Sequence, residues 1–394
     1  MKLERIFADL HIHIGRTESG QSVKISAARN LTFNRIVQEA YHRKGMQMIG
    51  IIDAHSPPVQ EEIVQGLERG LYAEHSEGGL VYGETTVILG CELEVKEPGF
   101  GVAHLLTYFP TFEAIQTFTA WLSKYMKNVQ LSTQRLHRPI AALEEKVAAL
   151  GGILIPAHVF TPFKSIYGTA TERMGQLLNL EQVAAVELGL SSDSAMADQL
   201  SELADKTFVS NSDAHSLPKI AREYNEFLLK TPSFLELKKV LLRQEGRRVI
   251  ANYGLNPRLG KYYRTRCMNC EKQLEAISDC CPECGSKRVV RGVRDRLMRI
   301  ADQPSTPPPH RPPYIHQVPL QFIPKLGPKT LDKLLKRFGT EMQILHVAKI
   351  EEIAAIAGET IAQYILLARQ QRLVFAEGGG GEYGKVLHIP PKSV

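Results

Sequence analysis

Up to about residue 255, short apolar runs alternate with longer amphipathic stretches. The runs MQMIGIID, TTVILGCELEV, GGILIPAHVF, AAVELGL and TFVSNSDAH predict strands, and NRIVQEAYHRKG, TFTAWLSKYMKNV and RPIAALEEKVAALG predict helices between them. Repeated β–α units of this kind imply parallel strands buried on both faces, with functional side chains at their C-terminal ends. His55, Glu92, His158 and His215 each fall at or just past the end of such a run. The segment 256–300 is short, basic and cysteine-rich. Residues 301–319, ADQPSTPPPHRPPYIHQVP, carry too many prolines for a helix or central strand and predict a semi-rigid linker or a strap laid across a surface. From 320 to 394 the pattern predicts two helical hairpins and a flexible turn at GGGGEYG, Gly378 to Gly384.

The chain has 394 residues, 43% hydrophobic and 23% charged, enough for more than one domain and at least one sizeable core. No apolar run approaches the roughly 18 to 20 residues of a spanning helix, and MKLERIFADLHIH has no signal-peptide core. A membrane or secreted role is not expected; a cytoplasmic one is. The net charge of +6 is uneven: residues 257–394 hold 22 Lys and Arg against 13 Asp and Glu (+9), and the rest 26 against 29 (−3). This suits a phosphate-binding surface joined to a slightly acidic body, the plain alternative being a solvated lysine-rich tail.

In DLHIH, Asp9, His11 and His13 share one face if the segment is a strand. Asp53 and His55, Glu92, His104, His158, and the pair Asp213 and His215 follow along the chain. One histidine beside an apolar strand is usually a satisfied core residue. So many histidines and carboxylates at strand ends are costly to bury without metal or mutual pairing. Imidazole and carboxylate without thiolate suit zinc, manganese or iron, and a bridging carboxylate can hold two ions about 3.5 to 4 Å apart. Such a cluster activates water and screens phosphate oxygens, which is the chemistry of phosphodiester or phosphomonoester hydrolysis. Glu94 reads as a supporting or solvent-facing carboxylate, and His42, His75 and His137 as surface residues.

DLHIH, IIDAH, the Glu of GCELEV, HLL, PAH and SNSDAH, in this order over about 200 residues, resemble the motifs of the polymerase and histidinol phosphatase (PHP) superfamily. The resemblance implies an α/β fold, a distorted (β/α)7 barrel over 1–255, with two or three divalent ions: zinc or manganese, with magnesium as a further option. It implies one ion on His11, His13, Glu92 and Asp213, Glu92 bridging to a second on His104 and His158, and a third near His55 and His215, assisted by Asp9 or Asp53. Asp213, His215, Glu92 and His158 are the implied catalytic residues. The superfamily pattern has a further ligand shortly after DLHIH, where this chain has IGRTESGQ, without histidine.

Five of six cysteines lie between Cys267 and Cys284. Cys267, Cys270, Cys281 and Cys284 form C-x2-C-x10-C-x2-C, the spacing of a closed structural zinc site, with Cys281 preferred over its neighbour Cys280. The metal would replace a core that this segment is too short to build. Arg264, Arg266, Lys287, Arg288, Arg291 and Arg294 surround it and suit DNA phosphates, or else form a solvated face. IPKLGPKT, residues 323–330, followed by LDKLLKRFG is the pattern of a helix-hairpin-helix element. Gly327 allows the tight hairpin, the next helix offers backbone N–H groups to a phosphate, and Lys325, Lys329, Thr330 and Lys333 surround that point. IEEIAAIAGETIAQYILLAR is a weaker copy turning at Gly358 and lacking lysine there. Tandem elements of this type resemble domains that bind the DNA minor groove without reading sequence; a plain helical dimerisation domain is the alternative.

A PHP body, a four-cysteine module and a helix-hairpin-helix segment in this order resemble the endonuclease Q family along nearly the whole chain. The resemblance implies an endodeoxyribonuclease that nicks damaged double- or single-stranded DNA 5′ of hypoxanthine, uracil or xanthine and at abasic sites. It would act as a monomer, associated with the nucleoid when on DNA. Metal-assisted in-line attack of water would leave a 3′-hydroxyl and a 5′-phosphate, and the lesion would leave the stack to be read. The loop after His158, with Phe160, Phe163, Ser165 and Tyr167, offers stacking groups and a hydroxyl for that pocket, or is an apolar loop closing the body. Three other readings fit parts of the sequence: a phosphatase for a small phosphomonoester such as histidinol phosphate, a nuclease without lesion preference, and a non-catalytic DNA-binding scaffold.

Overall fold

The computed structural model describes residues 2–274, 278 and 280–387. Residues 388–394 of the expected C-terminal domain, and 275–277 and 279 of the cysteine-rich module, lie outside them. The strands are β1 (Glu4–Ile12), β2 (Met48–Ile51), β3 (Ala73–Glu74), β4 (Leu80–Tyr82), β5 (Thr85–Lys96), β6 (Val102–Phe109), β7 (Ile153–Pro156), β8 (Ala185–Glu187), β9 (Thr207–Val209), β10 (Tyr224–Leu229), β11 (Arg248–Gly254), β12 (Arg266–Cys267), β13 (Val289–Val290), β14 (Tyr314–His316), β15 (Phe375–Ala376) and β16 (Lys385–Val386). The three amphipathic stretches form the helices Phe33–Gln38, Phe112–Leu122 and Ile140–Ala149, the first continuing as a π-turn over Glu39–Lys44. Thr32 and Thr111 cap two of them, each accepting from a backbone N–H three residues on.

Ten strands form one sheet in the order β14-β11-β10-β1-β2-β5-β4-β3, with β6 on β5 and β7 on β6. The sheet is mixed rather than parallel. β1, β2 and β5 run parallel, but residues 97–101 return β5 into an antiparallel β6, a connection too short for a helical crossover. Nor does the backbone ladder close into the expected barrel among the described residues, because β8 and β9 form a separate parallel pair. On one side the Leu154–Val183 bridge just before β8 and a bond from the Val159 N–H to the Glu187 carbonyl at 3.0 Å reach this pair. On the other, side-chain amides take the place of strand pairing: Asn225 exchanges hydrogen bonds with the Ser210 backbone at 2.8 and 2.9 Å, and Asn252 Nδ2 donates to the Phe208 carbonyl at 3.0 Å.

Alternation along β1 decides which face carries chemistry. Ile6, Ala8 and Leu10 enter a buried cluster with Met48, Ile88, Leu106 and Ile155. Asp9, His11 and His13 therefore point the other way, and all three are buried. The proline-rich stretch is a strap: β14 pairs in parallel with β11, and Arg311 pairs with Asp198 at 2.9 Å, both side chains 2% exposed, its guanidinium lying 3.4 Å over the Phe208 ring.

After the strap, a single 3₁₀ turn (Leu320–Phe322) and the helix Pro328–Phe338 make up the first hairpin, one full helix fewer than expected. The helices Glu341–His346, Ile350–Ala357 and Glu359–Arg369 follow. This helical segment is seated on the sheet: His346 stacks on Phe7 at 4.6 Å and meets the Tyr224 hydroxyl at 2.7 Å, while Lys44 Nζ donates to Glu341 Oε1 at 2.9 Å. The glycine-rich turn joins β15 to β16 and is held in place rather than free, since Gly378, Gly381 and Gly384 donate to the carbonyls of Arg258, Lys261 and Leu259. No helix among the described residues is long and apolar enough to cross a membrane.

Candidate metal centre and nucleic-acid interface

His11 and His13 leave the C-terminal end of β1, where the segment 212–215 is tied on by two backbone bonds, His13 N to Ala214 O and Ala214 N to His11 O, both 3.1 Å. Asp213 takes a left-handed φ of 45°, and His158, just past β7, a φ of 29°. Such backbone is costly for a residue with a side chain and concentrates at functional sites. His158 has room because Gly189 lies against it, where an added Cβ would come within 2.9 Å of the His158 Cβ. On β5 and β6 the register sets Glu94 opposite His104, and Glu92, its neighbour on the same face, receives the His104 ring diagonally.

The ligand atoms fall into overlapping groups: His11, His13 and Glu92; Glu92, His104 and His158; and His13, Asp213 and His215. Glu92 stands between the first two. Its Oε1 lies 3.0 Å from His104 Nδ1, 3.3 Å from His158 Nε2 and 3.7 Å from His11 Nε2, and its Oε2 lies 3.4 Å from His13 Nε2. Asp213 Oδ1 approaches His11 Nε2 and His13 Nε2 at 3.5 and 3.6 Å. His11 Nε2, His104 Nε2 and Asp213 Oδ1 are buried without hydrogen-bond partners in the protein. Converging, unsatisfied imidazole and carboxylate donors at these separations fit first-row divalent ions, whose bonds to such ligands are about 2.0 to 2.2 Å.

The electrostatics follow the same crowding. Burial alone would lower the His11 pKa, but Glu187, Asp213 and Glu92 raise it to about 10. Burial and then the Lys24 ammonium push His13 down to about 4. Burial works against ionisation of Glu92 and Asp213, yet His104 and Lys24 on the first, and His11, His215 and His13 on the second, hold both well below the usual carboxylate range.

Other expected ligands are placed differently. Asp9 does not join a ligand group, because its oxygens accept from the backbone N–H groups of Ser212 and Ala221 at 3.0 and 2.9 Å. Asp53 reaches the centre only through His13, accepting from its Nδ1 at 3.0 Å and from the Ile14 N–H at 2.8 Å. His55 is buried and outside every group, so the expected pairing of His55 with His215 is not assembled. Sequence reasoning passed over four residues. Glu187 accepts from His11 Nδ1 at 2.9 Å and so turns Nε2 toward the centre. Lys24 Nζ and Thr133 Oγ1 donate to Glu92 Oε2 at 3.3 and 2.6 Å. Arg222, 5% exposed, donates to the carbonyls of Ser212 and Asp213 and to the Tyr383 hydroxyl at 2.7 Å, linking the glycine-rich turn to the Asp213 segment.

The expected base pocket is corrected by burial. Phe160 stacks on Tyr167 at 5.2 Å, Tyr167 donates to Glu202 at 2.8 Å, and Ser165 caps its own turn by accepting from Gly168 N–H. All three are interior, leaving no face for a base; Phe163 alone of the four is open, 51% exposed and edge-on to Tyr262 at 5.5 Å.

The four cysteines converge as C-x2-C spacing requires, with Cys267 and Cys284 sulfurs 3.6 Å apart and Cys270 and Cys281 sulfurs also 3.6 Å apart. A tetrahedral ion with bonds of about 2.3 Å needs sulfur separations of about 3.8 Å, so the set fits zinc. Around it, Arg264 and Arg266 are not open phosphate contacts, since Glu377 and Glu382 of the C-terminal hairpin engage them at 3.6 and 3.1 Å; Arg291 is exposed. Lys325, Lys329 and Lys333 are exposed around the start of the helix Pro328–Phe338, and Thr330 lies in its first turn, half-buried. The left-handed residue of that turn is Lys325, φ 67°, not Gly327, φ −78°. An added Cβ at Gly327 meets nothing within 4 Å, so what the glycine leaves there is open space for an approaching group.

No protein-family model matches the sequence. The uncharacterized protein YqxK of Bacillus subtilis is 46% identical over 386 residues, 98% of this chain and 100% of that one. Among solved structures, the lesion-specific endonuclease PfuEndoQ from Pyrococcus furiosus superposes with a TM-score of 0.85 at 30% identity, covering 99% of this chain and 96% of its own. An endonuclease Q complex with a 27-mer duplex substrate carrying an abasic lesion at the active site matches with the same TM-score and identity over 99% of this chain and 98% of that one. With its fold and 30% of its residues shared along essentially the full length of both solved chains, the protein belongs to the endonuclease Q family.

Proposed function

We propose that the protein is a metal-dependent DNA repair endonuclease that cuts the phosphodiester 5′ of hypoxanthine, uracil or xanthine and at abasic sites, leaving a 3′-hydroxyl and a 5′-phosphate. The carrying observation is the nested set of unsatisfied imidazole and carboxylate donors around Glu92, in a chain alike end to end to an endonuclease Q bound to abasic duplex.

His11, His13, Glu92 and Asp213 would hold one divalent ion, and Glu92, His104 and His158 a second; the four cysteines would hold structural zinc. Ions bound at the first two sites would screen the phosphate oxygens and lower the pKa of a water. Two is the number the donors support. Asp53 occupies His13 Nδ1, so only Nε2 remains, and the group with His215 competes for it with the group around Glu92. The protein's own part is positioning. Glu187 and Asp53 fix the tautomers of His11 and His13, and Arg222 braces the strained Asp213 segment. His215 Nδ1 lies 3.0 Å from the Asp213 carbonyl, to which it donates, leaving Nε2 as the atom that can carry a proton between water and the leaving oxygen. The lysines around Gly327 would bind flanking phosphates without reading sequence. Asp213→Ala should abolish nicking of lesion duplexes while leaving their binding within about twofold. Retained cleavage would remove Asp213 from the centre.

A further inference from the structure

Beside the metal centre opens a cavity of about 330 Å³, whose walls include Glu94, Lys127, Thr133, Arg135, His137 and Lys164. Thr133 is the partition: its hydroxyl donates to Glu92 Oε2 at 2.6 Å on one side, and the residue lines the cavity on the other. Glu94 follows Glu92 by two positions on the same face of β5, which sets the two residues about 6.6 Å apart along the strand backbone. That step is comparable to the spacing of neighbouring phosphates in one nucleic-acid strand.

Three cationic side chains face one carboxylate here. Glu94, 8% exposed, accepts from Arg135 Nε at 2.7 Å and Nη2 at 2.5 Å and from Lys164 Nζ at 2.9 Å, and so anchors both cations while Arg135 Nη1 and the other ammonium N–H groups of Lys164 face no partner on Glu94. Exposed Lys127 adds a third positive charge. The walls are fixed in advance by backbone bonds, Glu94 N to Gln134 O, Leu136 N to Glu94 O and His104 N to Lys164 O. Thr133 and Lys164 also hold left-handed φ values of 54° and 53°, and for a β-branched threonine this is a true outlier. Glycine or asparagine would meet that backbone demand more easily; threonine and lysine supply the hydroxyl on Glu92 and the ammonium on Glu94. Observed strain at two lining residues points to a working site.

We propose that this cavity seats the backbone phosphate next to the scissile one on the nicked strand, with Arg135, Lys164 and Lys127 as positioning residues. The inference rests on the endonuclease reading. The guanidinium N–H donors that Glu94 leaves free and two ammonium groups match a phosphodiester, which only accepts hydrogen bonds. The seat fixes which phosphodiester faces Glu92 and hence the register of the cut.

The test uses the metal-loaded full chain, its Lys164→Ala and Lys127→Ala variants, and deoxyuridine duplexes in which the phosphate on either side of the scissile one is replaced by a neutral methylphosphonate. Lys164→Ala leaves Arg135 on Glu94, so no buried carboxylate is stranded, and Lys127 is exposed, so both variants should fold. In single-turnover nicking, a methylphosphonate at one neighbouring position should raise the half-saturating enzyme concentration about tenfold for the parent protein. Lys164→Ala should do the same on unmodified duplex, and combining the two should cost nothing more. Each variant should also flatten the salt dependence of binding, followed by fluorescence anisotropy, by about one in slope. If neither methylphosphonate affects the parent protein, or if variant and substitution multiply, the seat is overturned. Should the parent protein fail to nick any lesion duplex, the endonuclease reading falls, and the anisotropy slopes still decide the cavity: unchanged slopes in both variants overturn it.

Discussion

Glu187 offers a sharp test of how the centre is built, because it touches no expected ion and acts only through His11. Its carboxylate is fully buried and sits 2.9 and 3.1 Å from His11 Nδ1, so it holds the Nδ1 proton and leaves Nε2, facing Glu92 and Asp213, as the nitrogen that gives up its proton to an ion. Removing an outer partner of this kind typically costs 10- to 100-fold in metal affinity, about 1.4 to 2.7 kcal/mol. Glu187→Gln retains an acceptor oxygen and should lie near the lower figure. Glu187→Ala leaves His11 Nδ1 buried without a partner, which adds a folding cost of about 1 to 3 kcal/mol, and should lie near the upper. Competition between protein and a chromophoric chelator, with the metal content of the dialysed protein measured by mass spectrometry, separates the affinity loss from any change in cleavage. Metal affinity in Glu187→Ala equal to that of the parent would refute the claim that His11 is oriented by this contact.

Replacing Lys325 and Lys329 with alanine should lower the salt slope of DNA binding by about two and weaken affinity for lesion and plain duplexes alike; an unchanged slope would argue against the first hairpin as a phosphate clamp. Tyr383→Phe removes a 2.7 Å contact to Arg222 and should lower the maximal nicking rate several-fold, with half-saturation by DNA unchanged and stability down by about 1 kcal/mol. Parent-like rates would show that the glycine-rich turn does not support Asp213. Burial raises the Glu223 pKa from 4.5 to about 8. Because the folded value is the higher, its stabilisation is complete below pH 4.5 and is lost as pH rises through 8, at most about 5 kcal/mol. Urea unfolding across this window should show Glu223→Gln gaining on the parent protein as pH rises, and a pH-independent difference would place the carboxyl in contact with water.

How much of this could be read from the chain depends on whether an interaction is local. The strands and their polar ends were legible because apolar runs stop at His11 and His13, Glu92, His158 and Asp213. Asp9 and Asp53 carry the same signature and end differently, because both Asp9 oxygens are taken by N–H groups of Ser212 and Ala221, some 200 residues away, and Asp53 Oδ2 is taken by the Ile14 N–H and the His13 ring. No pattern in the sequence shows that. Glu187 was findable: it ends the run AAVE as Glu92 ends its own. Lys24 and Thr133 come from loops whose position only the fold decides. The antiparallel return of β5 into β6 was also legible, since residues 97–101 cannot hold a crossover helix. The aromatic loop after His158 left two readings open because stacking groups look the same whether they await a base or, like Phe160 on Tyr167, already have a partner.

The central claim is metal-dependent incision next to a damaged base. End-labelled duplexes carrying one deoxyinosine, deoxyuridine, abasic site or no lesion, incubated with the protein and divalent metal or with chelator and resolved on a denaturing gel, test it directly. A nick immediately 5′ of the lesion, lost with chelator and absent from the plain duplex, is the expected result. Lesion and plain duplexes cut alike would remove the lesion preference, and no cut on any duplex by folded, metal-loaded protein would contradict the account and bring forward hydrolysis of a small phosphomonoester.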